Sequence, residues 1–481
     1  MLSAGADIDT EDENGDTPFV HAFRGRYCAV MEVLHDAGCT TEIAKMSLAL
    51  STKDVAFVRL CHGMDIPVEN EDWNAADPAE VGILLDDLAL DPFEGQYGRH
   101  GFDDSPFMYI VQEGKPEILE MMVARHPCAA KYSDADRQEK IDRALFKAIK
   151  SRRLDNAKVL LASLGARLET RDVQGRTPFV LACGHDELIA SYLLDLGANH
   201  LAVDNEGLTA LHWAACAGYH TLSESLLERG VRADAAANLG ATTLMVACSS
   251  RRYEIAELLL NVGGADPNLR TPEGWSALHV AVRACAPAIV RLLLTHDATP
   301  DVQSSKLTHN GDIVPASTPL LIAISLNGVK MIRHLLDANC DVDLAGLVYT
   351  NPSLSSSESE EEVKYQKQRC TPIQYAVISR AWDVAELLVK AGCDVAPVWL
   401  WLEYKKAPVH IPDDRYKRLR QLVHAATTIP PKLRQIVRLR VRRVLGRHLP
   451  TKVEKLELPP SARQFLLFHD LFRAQSGSFE V

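Results

Sequence analysis

Apolar residues recur along the chain in a short phrase with helical spacing. The copies read TPFVLA, TALHWA, TTLMVA, SALHVA, TPLLIA and TPIQYA, and they start at Thr177, Thr209, Thr242, Ser276, Thr318 and Thr371. The intervals between these starts are 32, 33, 34, 42 and 53 residues. A more distant copy, TPFVHA, starts at Thr17. An aliphatic pair and a small residue follow each copy, as at Leu226-Leu227 and Gly230, so the pattern predicts repeated pairs of helices.

The residue types in the phrase suit helix pairs that stack on one another. Threonine before a helix can cap free backbone N–H groups, and proline at the first helical position has no N–H to leave unsatisfied. The glycine after the aliphatic pair permits the left-handed conformation that ends a helix. The phrase also contains an alanine that lets neighbouring helices approach closely: Ala182, Ala214, Ala247, Ala281, Ala323 and Ala376. A period of about 33 residues with this phrase resembles the ankyrin repeat, whose units bury their apolar faces only by stacking.

Between the copies at Thr17 and Thr177 the phrase weakens. Residues 43–65, 104–127 and 142–172 keep the apolar spacing of helix pairs, and residues 77–88 keep the least of it. We therefore expect about ten or eleven units, the most divergent of them between residues 40 and 140. The chain opens with the end of a second helix and a hairpin, so either the first repeat lacks its first helix or the sequence is a fragment.

The two long intervals indicate insertions near residues 302–316 and 347–370. The second insertion contains SLSSSESEEE, from Ser353 to Glu362. A polar, acidic and serine-rich run cannot bury enough apolar surface to fold, so we expect a disordered surface loop. Phosphorylation of its serines is an alternative that the sequence leaves open.

Composition narrows the class of protein. The 481 residues are 47% hydrophobic, 24% charged and 6% aromatic, which suits helical packing of small residues and excludes wholesale disorder. No stretch approaches the roughly 18 apolar residues of a membrane span. The net charge of −12 argues against general nucleic-acid binding. The 11 cysteines include no C-x-x-C pair, which indicates reduced thiols in the cytoplasm or nucleus rather than a disulfide framework or a zinc site.

The sequence carries none of the catalytic motifs that have a recognisable spacing, such as G-x-S-x-G, H-E-x-x-H or a phosphate-binding loop. His212 and His279 occupy the fourth position of the phrase and His21 the fifth, and at all three we expect imidazole to form hydrogen bonds between repeats. We therefore predict no enzymatic activity, no cofactor and no metal. Trp213 and Trp275 lie on or beside first helices and are candidate substrate-binding residues, with packing between repeats as the alternative.

A basic, amphipathic segment follows the repeats. Eight Lys or Arg residues occur between Lys432 and Lys452 without an acidic residue. One apolar helix face is predicted by residues at three- and four-residue steps: Leu433, Ile436, Val437, Val441, Val444 and Leu445. Pro431 can start this helix and Gly446 can end it. A second apolar cluster, residues 465–468, follows Pro459.

This segment resembles a SOCS box. The first helix of that family has a leucine near its start, a Cys or similar residue four positions later, and a basic R-R-x-L-G ending, which Leu433, Val437 and residues 442–446 match. The family's L-P-L-P-P stretch resembles LELPP at residues 456–460, where Glu457 replaces a proline. Its last helix resembles FLL at residues 465–467. With the repeats, nearly the whole chain resembles the ankyrin repeat and SOCS box proteins.

The resemblance implies an all-α fold, in which an ankyrin solenoid with short β-hairpin loops precedes a small three-helix SOCS box. It implies that Elongin B/C binds Leu433, Val437, Val441 and Leu445. It also implies that a cullin, usually of the fifth type and joined to a RING protein, contacts Leu456, Leu458 and Pro459. The ankyrin surface would hold an unknown protein substrate, so the chain would be a non-catalytic adaptor of a ubiquitin ligase.

We expect divergent repeats over residues 1–172, regular repeats over 173–400, a capping helix and connector over 401–428 and the SOCS box over 429–473. The alternative function is a non-catalytic ankyrin scaffold whose basic C-terminal helix binds membrane or calmodulin. The LELPP and FLL elements have no role in that alternative. The expected location is the cytoplasm, with the nucleus as the second choice.

Overall fold

The repeated phrase forms the helix pairs that its spacing predicts. The computed structural model describes residues 7–41, 46–64, 77–87, 105–113, 115–125, 134–304, 317–350, 366–395 and 413–428, together with the single residues 44, 66, 68 and 398. The chain divides into two units, residues 1–202 and 203–481. The described fold is all-α apart from one two-stranded hairpin, so the predicted fold class is confirmed. None of the described helices is long and apolar enough to cross a bilayer.

The first unit contains eleven described helices. They are α1 (Pro18–Arg24), α2 (Cys28–Asp36), α3 (Met46–Leu50), α4 (Val55–Gly63), α5 (Pro78–Gly82), α6 (Pro106–Glu113), α7 (Pro116–Arg125), α8 (Asp134–Lys150), α9 (Leu154–Ser163), α10 (Pro178–His185) and α11 (Glu187–Asp195). The pairs α3–α4, α6–α7 and α8–α9 confirm the divergent helix pairs that the weak apolar spacing predicts. The weakest segment is a short helix, α5, that continues as a π-helix from Ile83 to Asp87.

The second unit contains the regular repeats that follow the α10–α11 pair. Its described helices are α12 (Ala210–Ala217), α13 (His220–Glu228), α14 (Thr243–Ser249), α15 (Tyr253–Asn261), α16 (Ala277–Arg283), α17 (Pro287–Thr295), α18 (Pro319–Ser325), α19 (Val329–Asp337), α20 (Pro372–Ile378), α21 (Trp382–Ala391) and α22 (Asp413–Thr428). Two strands, β1 (Gly346–Thr350) and β2 (Gln366–Cys370), lie between α19 and α20.

The cap and the small residue of the phrase have the predicted roles. The capping side chains accept a hydrogen bond from the backbone N–H three residues later, at 3.2–3.4 Å, in Thr17, Thr177, Thr242, Thr318 and Thr371. A cap of this kind stabilises a helix by about 1 kcal/mol. The alanines are fully buried: Ala182, Ala214, Ala247, Ala281, Ala323 and Ala376. A larger side chain at any of these positions would force the packed helices apart.

The glycine after the aliphatic pair has two different roles. Gly392 ends α21 with a φ of 88°, which is the predicted left-handed conformation. Gly263 does not, because the left-handed residue there is Gly264, with a φ of 61°. A Cβ on Gly263 would lie 2.9 Å from the carbonyl oxygen of Leu259 and 3.0 Å from the Cβ of Ala233. Glycine at position 263 therefore permits a close approach between neighbouring segments.

Side chains in the loops after several second helices form hydrogen bonds that link successive repeats, and we call this series of bonds the ladder. In the first unit, Asp9 and Glu169 accept hydrogen bonds from the backbone N–H groups of Thr40 and Asn199, at 2.8 and 2.9 Å. In the second unit, bonds of 2.7–3.0 Å join the acceptors Asp234, Asn268, Asp301 and Asp343 to the backbone N–H groups of Asp266, Thr299, Asp341 and Asp394. The last two bonds span 40 and 51 residues, so the ladder continues across both insertions.

The second insertion begins and ends in the β1–β2 hairpin. The strands are antiparallel, with Gly346 opposite Cys370 and Thr350 opposite Gln366. Pairing brings the two ends of the insertion together, which explains how the ladder continues past it. The acidic loop from Ser353 to Glu362 and most of the insertion near residues 302–316 lie outside the described residues.

Candidate functional site

The residues predicted to bind the elongin pair and the cullin lie outside the described residues. They are Leu433, Val437, Val441, Leu445, Leu456, Leu458 and Pro459. The described part of the chain ends at Thr428, the last residue of α22 and the residue before the expected SOCS box. Helix α22 is therefore the described element that directly precedes the expected SOCS box.

Helix α22 is fixed to the last ankyrin helix by an ion-pair cluster and two apolar side chains. Glu386 of α21 is 7% exposed, and its Oε1 accepts from Lys390 Nζ at 2.7 Å and from Arg418 Nη2 at 3.0 Å. Leu419 and Val423 are 2% and 1% exposed, and their four-residue spacing places them on one face of α22. The helix that leads to the expected SOCS box is therefore packed against the repeats.

Trp213 is held in a fixed orientation by the hairpin loop of its own repeat. Its indole N–H donates to Asp204 Oδ2 at 3.1 Å. Asp204 is itself held because its Oδ1 accepts from the backbone N–H groups of Glu206 and Leu208, at 2.9 and 2.8 Å. The Trp213 side chain is half-buried, so part of the ring is available to a partner.

Trp275 lies in the hairpin before α16 and is also half-buried. Its ring centre is 5.6 Å from that of His279, and the guanidinium carbon of Arg283 lies 4.7 Å from the ring centre. The π-electrons of the indole attract the guanidinium cation, which holds both side chains in place. Trp275 is two repeats beyond Trp213 in the sequence.

His279 links two successive repeats, as the sequence predicts. Its Nδ1 accepts from the backbone N–H of Ser276 at 3.2 Å, so the proton of the neutral ring is on Nε2, which donates to the carbonyl oxygen of Ser317 at 3.2 Å. His212 makes the equivalent bonds in its own repeat and to the next. Burial lowers the pKa of both rings, that of His279 to about 4, so both are neutral at pH 7 and have a structural role.

His21 does not link repeats, and that prediction is wrong. Its Nε2, on α1, lies 2.8 Å from Oδ2 of Asp12 in the hairpin before that helix, and its side chain is 56% exposed. Asp12, Asp16 and His21 bring three ligand-type atoms within 4.8 Å of one another, but Asp16 forms an ion pair with Arg24. The backbone N–H of Asp16, followed by the His21 ring, lowers the pKa of Asp12 to about 2, because hydrogen bonds to the carboxylate favour its charged form.

The buried cysteines are free thiols. Burial raises the pKa of Cys61 to about 12, and it raises the pKa of Cys183 and Cys248 as well. A thiol with a raised pKa stays protonated and is a poor nucleophile or metal ligand. These three side chains therefore act as small apolar residues in the core.

Comparison with known families identifies two segments of the chain. The ankyrin-repeat model, which covers three copies of the repeat, matches residues 164–237, 224–306 and 244–346. The SOCS box model matches residues 429–467. The ankyrin match contains the helix pairs from α10 to α19, and the SOCS box match contains the predicted elongin-binding helix.

Three curated proteins show the extent of similarity. NF-kappa-B inhibitor delta from Mus musculus is 25% identical over 216 residues, which are 39% of this chain and 64% of the relative. The B-cell lymphoma 3 protein homolog from Mus musculus is 34% identical over 180 residues, 36% of this chain and 38% of the relative. Rabankyrin-5 from Homo sapiens is 27% identical over 213 residues, 37% of this chain and 18% of the relative. The chain spans less than two thirds of each.

Ankyrin repeats together with a SOCS box suggest a substrate adaptor of the Elongin–cullin ubiquitin ligase type, and such adaptors are generally non-catalytic. A SOCS box implies binding to Elongin B/C and a cullin in general. The stacked helix pairs, their capping phrase and the two matched segments agree: the chain has ankyrin repeats and a C-terminal SOCS box, and this combination matches the ankyrin repeat and SOCS box family.

Proposed function

We propose that the chain is the substrate-recognition subunit of an Elongin B/C–cullin–RING ubiquitin ligase that acts in intracellular signalling. The observation that supports this role is the presence of ankyrin repeats and a SOCS box in one chain. The chain would raise the effective concentration of a target protein near the ubiquitin-conjugating enzyme without performing bond chemistry itself. Free, buried thiols suit the reducing cytoplasm as the place where it acts.

The proposed elongin contacts are the apolar stripe Leu433, Val437, Val441 and Leu445. A short amphipathic helix with such a stripe binds by placing it in a groove of its partner, and this covers apolar surface that water would otherwise contact. The proposed cullin contacts are Leu456, Leu458 and Pro459. The fifth-type cullin follows from the family resemblance, and because Glu457 replaces a proline of the family stretch, cullin choice is to be tested separately from elongin binding.

The proposed substrate contacts include Trp213 and Trp275. Hydrogen bonding to Asp204 and stacking with Arg283 fix these rings before a ligand binds. A ring that is already fixed loses little conformational entropy on binding, and tryptophan often contributes strongly to protein interfaces.

Affinity capture by purified Elongin B/C tests the adaptor role. The wild-type chain should bind, and Leu433→Asp should weaken binding roughly a hundredfold or more because it places an unpaired charge in an apolar groove. Gln435→Asp is the matched control, since it adds the same charge on the opposite side of the predicted helix and should bind as the wild type does. Equal binding of all three proteins, or of none, contradicts the adaptor role.

The second candidate function, a scaffold with a membrane- or calmodulin-binding tail, rests on the eight basic residues between Lys432 and Lys452. It predicts sedimentation with vesicles that contain phosphatidylserine, and less sedimentation at high salt because ions screen the attraction. Elongin capture together with no sedimentation favours the adaptor.

A further inference from the structure

A groove of about 950 Å³ opens in the first unit between α8 and the hairpin of residues 167–173. The α8 wall carries Glu139, Arg143, Lys147 and Lys150. Their spacing of four, four and three residues places these four side chains along one face of the helix. The groove therefore has one helical wall whose charge changes from negative to positive towards its C-terminal end.

Asp142 fixes the two walls of the groove to each other. This carboxylate is 4% exposed, and its Oδ2 accepts from Arg167 Nε and Nη2, at 2.8 and 2.6 Å. Its Oδ1 accepts from the backbone N–H of Arg167 at 2.9 Å. Two charge-assisted bonds to one carboxylate oxygen and a backbone bond to the other leave little freedom between α8 and the hairpin. The groove is formed before a ligand arrives, which lowers the entropy cost of binding.

Two of the four carboxylates in the groove are neutralised inside the protein. Asp142 is paired with Arg167, and Asp172 is paired with Arg176 at 2.7 Å. A third carboxylate, that of Glu169, accepts a hydrogen bond from the backbone N–H of Asn199. Four further cations line the groove, namely Arg143, Lys147, Lys150 and Arg171. The lining has a local excess of positive charge in a chain whose net charge is −12.

Lys147 and Lys150 lie in the last turn of α8, and neither forms an ion pair within the described part of the chain. The negative end of the helix dipole attracts both ammonium groups, but it leaves their N–H donors for a ligand. A carboxylate that enters the groove can accept hydrogen bonds from both lysines.

The groove also contains apolar surface. Met108 and Phe146 line it and are 2% and 9% exposed, so they offer a packed floor rather than a loose surface. Val173 stands at its rim and is 95% exposed. An exposed apolar side chain beside a cationic wall suits a ligand that combines carboxylates with an apolar residue.

We propose that this groove binds an extended acidic peptide segment that carries an apolar residue, and that target proteins present such a segment. This inference rests on the proposed adaptor function, because it names the class of substrate. Binding of the peptide itself does not require the elongin pair, so failure of one proposal is distinguishable from failure of the other.

Fluorescence anisotropy on the full chain, with and without Elongin B/C, tests the groove. The probe is a labelled decapeptide of Glu and Asp with two central Leu residues, and the control peptide has Gln and Asn in place of the acids. The acidic peptide should bind at least about tenfold more tightly, since two or more ion pairs each contribute up to ~1 kcal/mol. Its affinity should fall as salt is raised.

The variant Lys147→Glu with Lys150→Glu should weaken binding of the acidic peptide about tenfold or more, because repulsion replaces attraction at both sites. Lys115→Glu with Lys330→Glu, at exposed positions outside the groove, makes the same change in net charge and should bind as the wild type does. Circular dichroism checks folding, and Lys147→Gln with Lys150→Gln replaces the first variant if it unfolds. Equal affinity for both peptides, or equal loss in both charge-reversed variants, overturns the proposal.

Discussion

Single side chains connect one repeat to the next in this array. The His279 ring accepts a hydrogen bond from a backbone N–H in its own repeat and donates one to a backbone carbonyl oxygen in the next repeat. Each of these hydrogen bonds is 3.2 Å long. A buried ring can satisfy both groups only when it is neutral, because a second proton would occupy Nδ1. The stability of the repeats therefore depends on the protonation of buried imidazole.

Acid should destabilise the array through His279. Its pKa is about 4 in the folded chain and 6.5 without the fold, so the unfolded chain binds more protons between these values. The free energy of unfolding should fall by about 2 kcal/mol from pH 7 to pH 5 through this one group. Melting temperatures at both pH values measure the effect. The melting temperature of His279→Gln should depend less on pH than that of the wild type. The melting temperature of His220→Gln, a change at an exposed position, should depend on pH as that of the wild type does.

The role of a side chain is predictable from the sequence where the repeated phrase dictates its surroundings. Buried His279 and the alanines of the first helices follow from their place in the phrase. His21 lies one position later in its phrase than His279 does, and it contacts Asp12 in a hairpin that the phrase does not specify. Asp204 and Arg283 hold the two tryptophans through contacts that likewise arise only after folding.

Among the helices, α22 connects the repeats to the expected SOCS box. Its apolar residues Leu419 and Val423 are buried, and Arg418 pairs with Glu386. Full burial of an aliphatic side chain contributes about 1.5–3 kcal/mol, more than an ion pair with one exposed partner. The apolar contacts therefore account for most of the docking of α22.

Val423→Asp should release α22 from the repeats without unfolding them, since α22 packs at the end of the array. Hydrogen exchange read by mass spectrometry should show lost protection in residues 413–428 and unchanged protection in α18 and α19. Gln421→Asp, at an exposed position of the same helix, should change neither. Wild-type protection of residues 413–428 in Val423→Asp is inconsistent with docking through this face.

Helices were more predictable than the segments between them. The apolar spacing indicates the helix pairs even where the phrase is weak, because burial of one face requires that spacing. It does not indicate the β1–β2 hairpin, since pairing of two strands across a long insertion depends on residues distant in sequence. It also missed the groove beside α8, whose cations share a face but whose opposite wall is a loop held by Asp142.

The whole chain combines an ankyrin array with a C-terminal segment that matches a SOCS box. The array offers fixed aromatic rings and a cationic groove, and α22 joins the array to the residues that match a SOCS box. In the proposed role, the ankyrin array and the SOCS box segment have separable functions. Damage to the groove should weaken target capture and spare assembly with the elongin pair, and Leu433→Asp should have the opposite effect.

Co-expression with Elongin B and Elongin C, followed by size-exclusion chromatography with light scattering, tests the adaptor role most directly. The proposal predicts one co-eluting species whose mass equals one copy of each of the three polypeptides, and loss of that species for Leu433→Asp while the variant remains folded. Elution of the wild-type chain alone, at its own mass of 53.0 kDa, would contradict it.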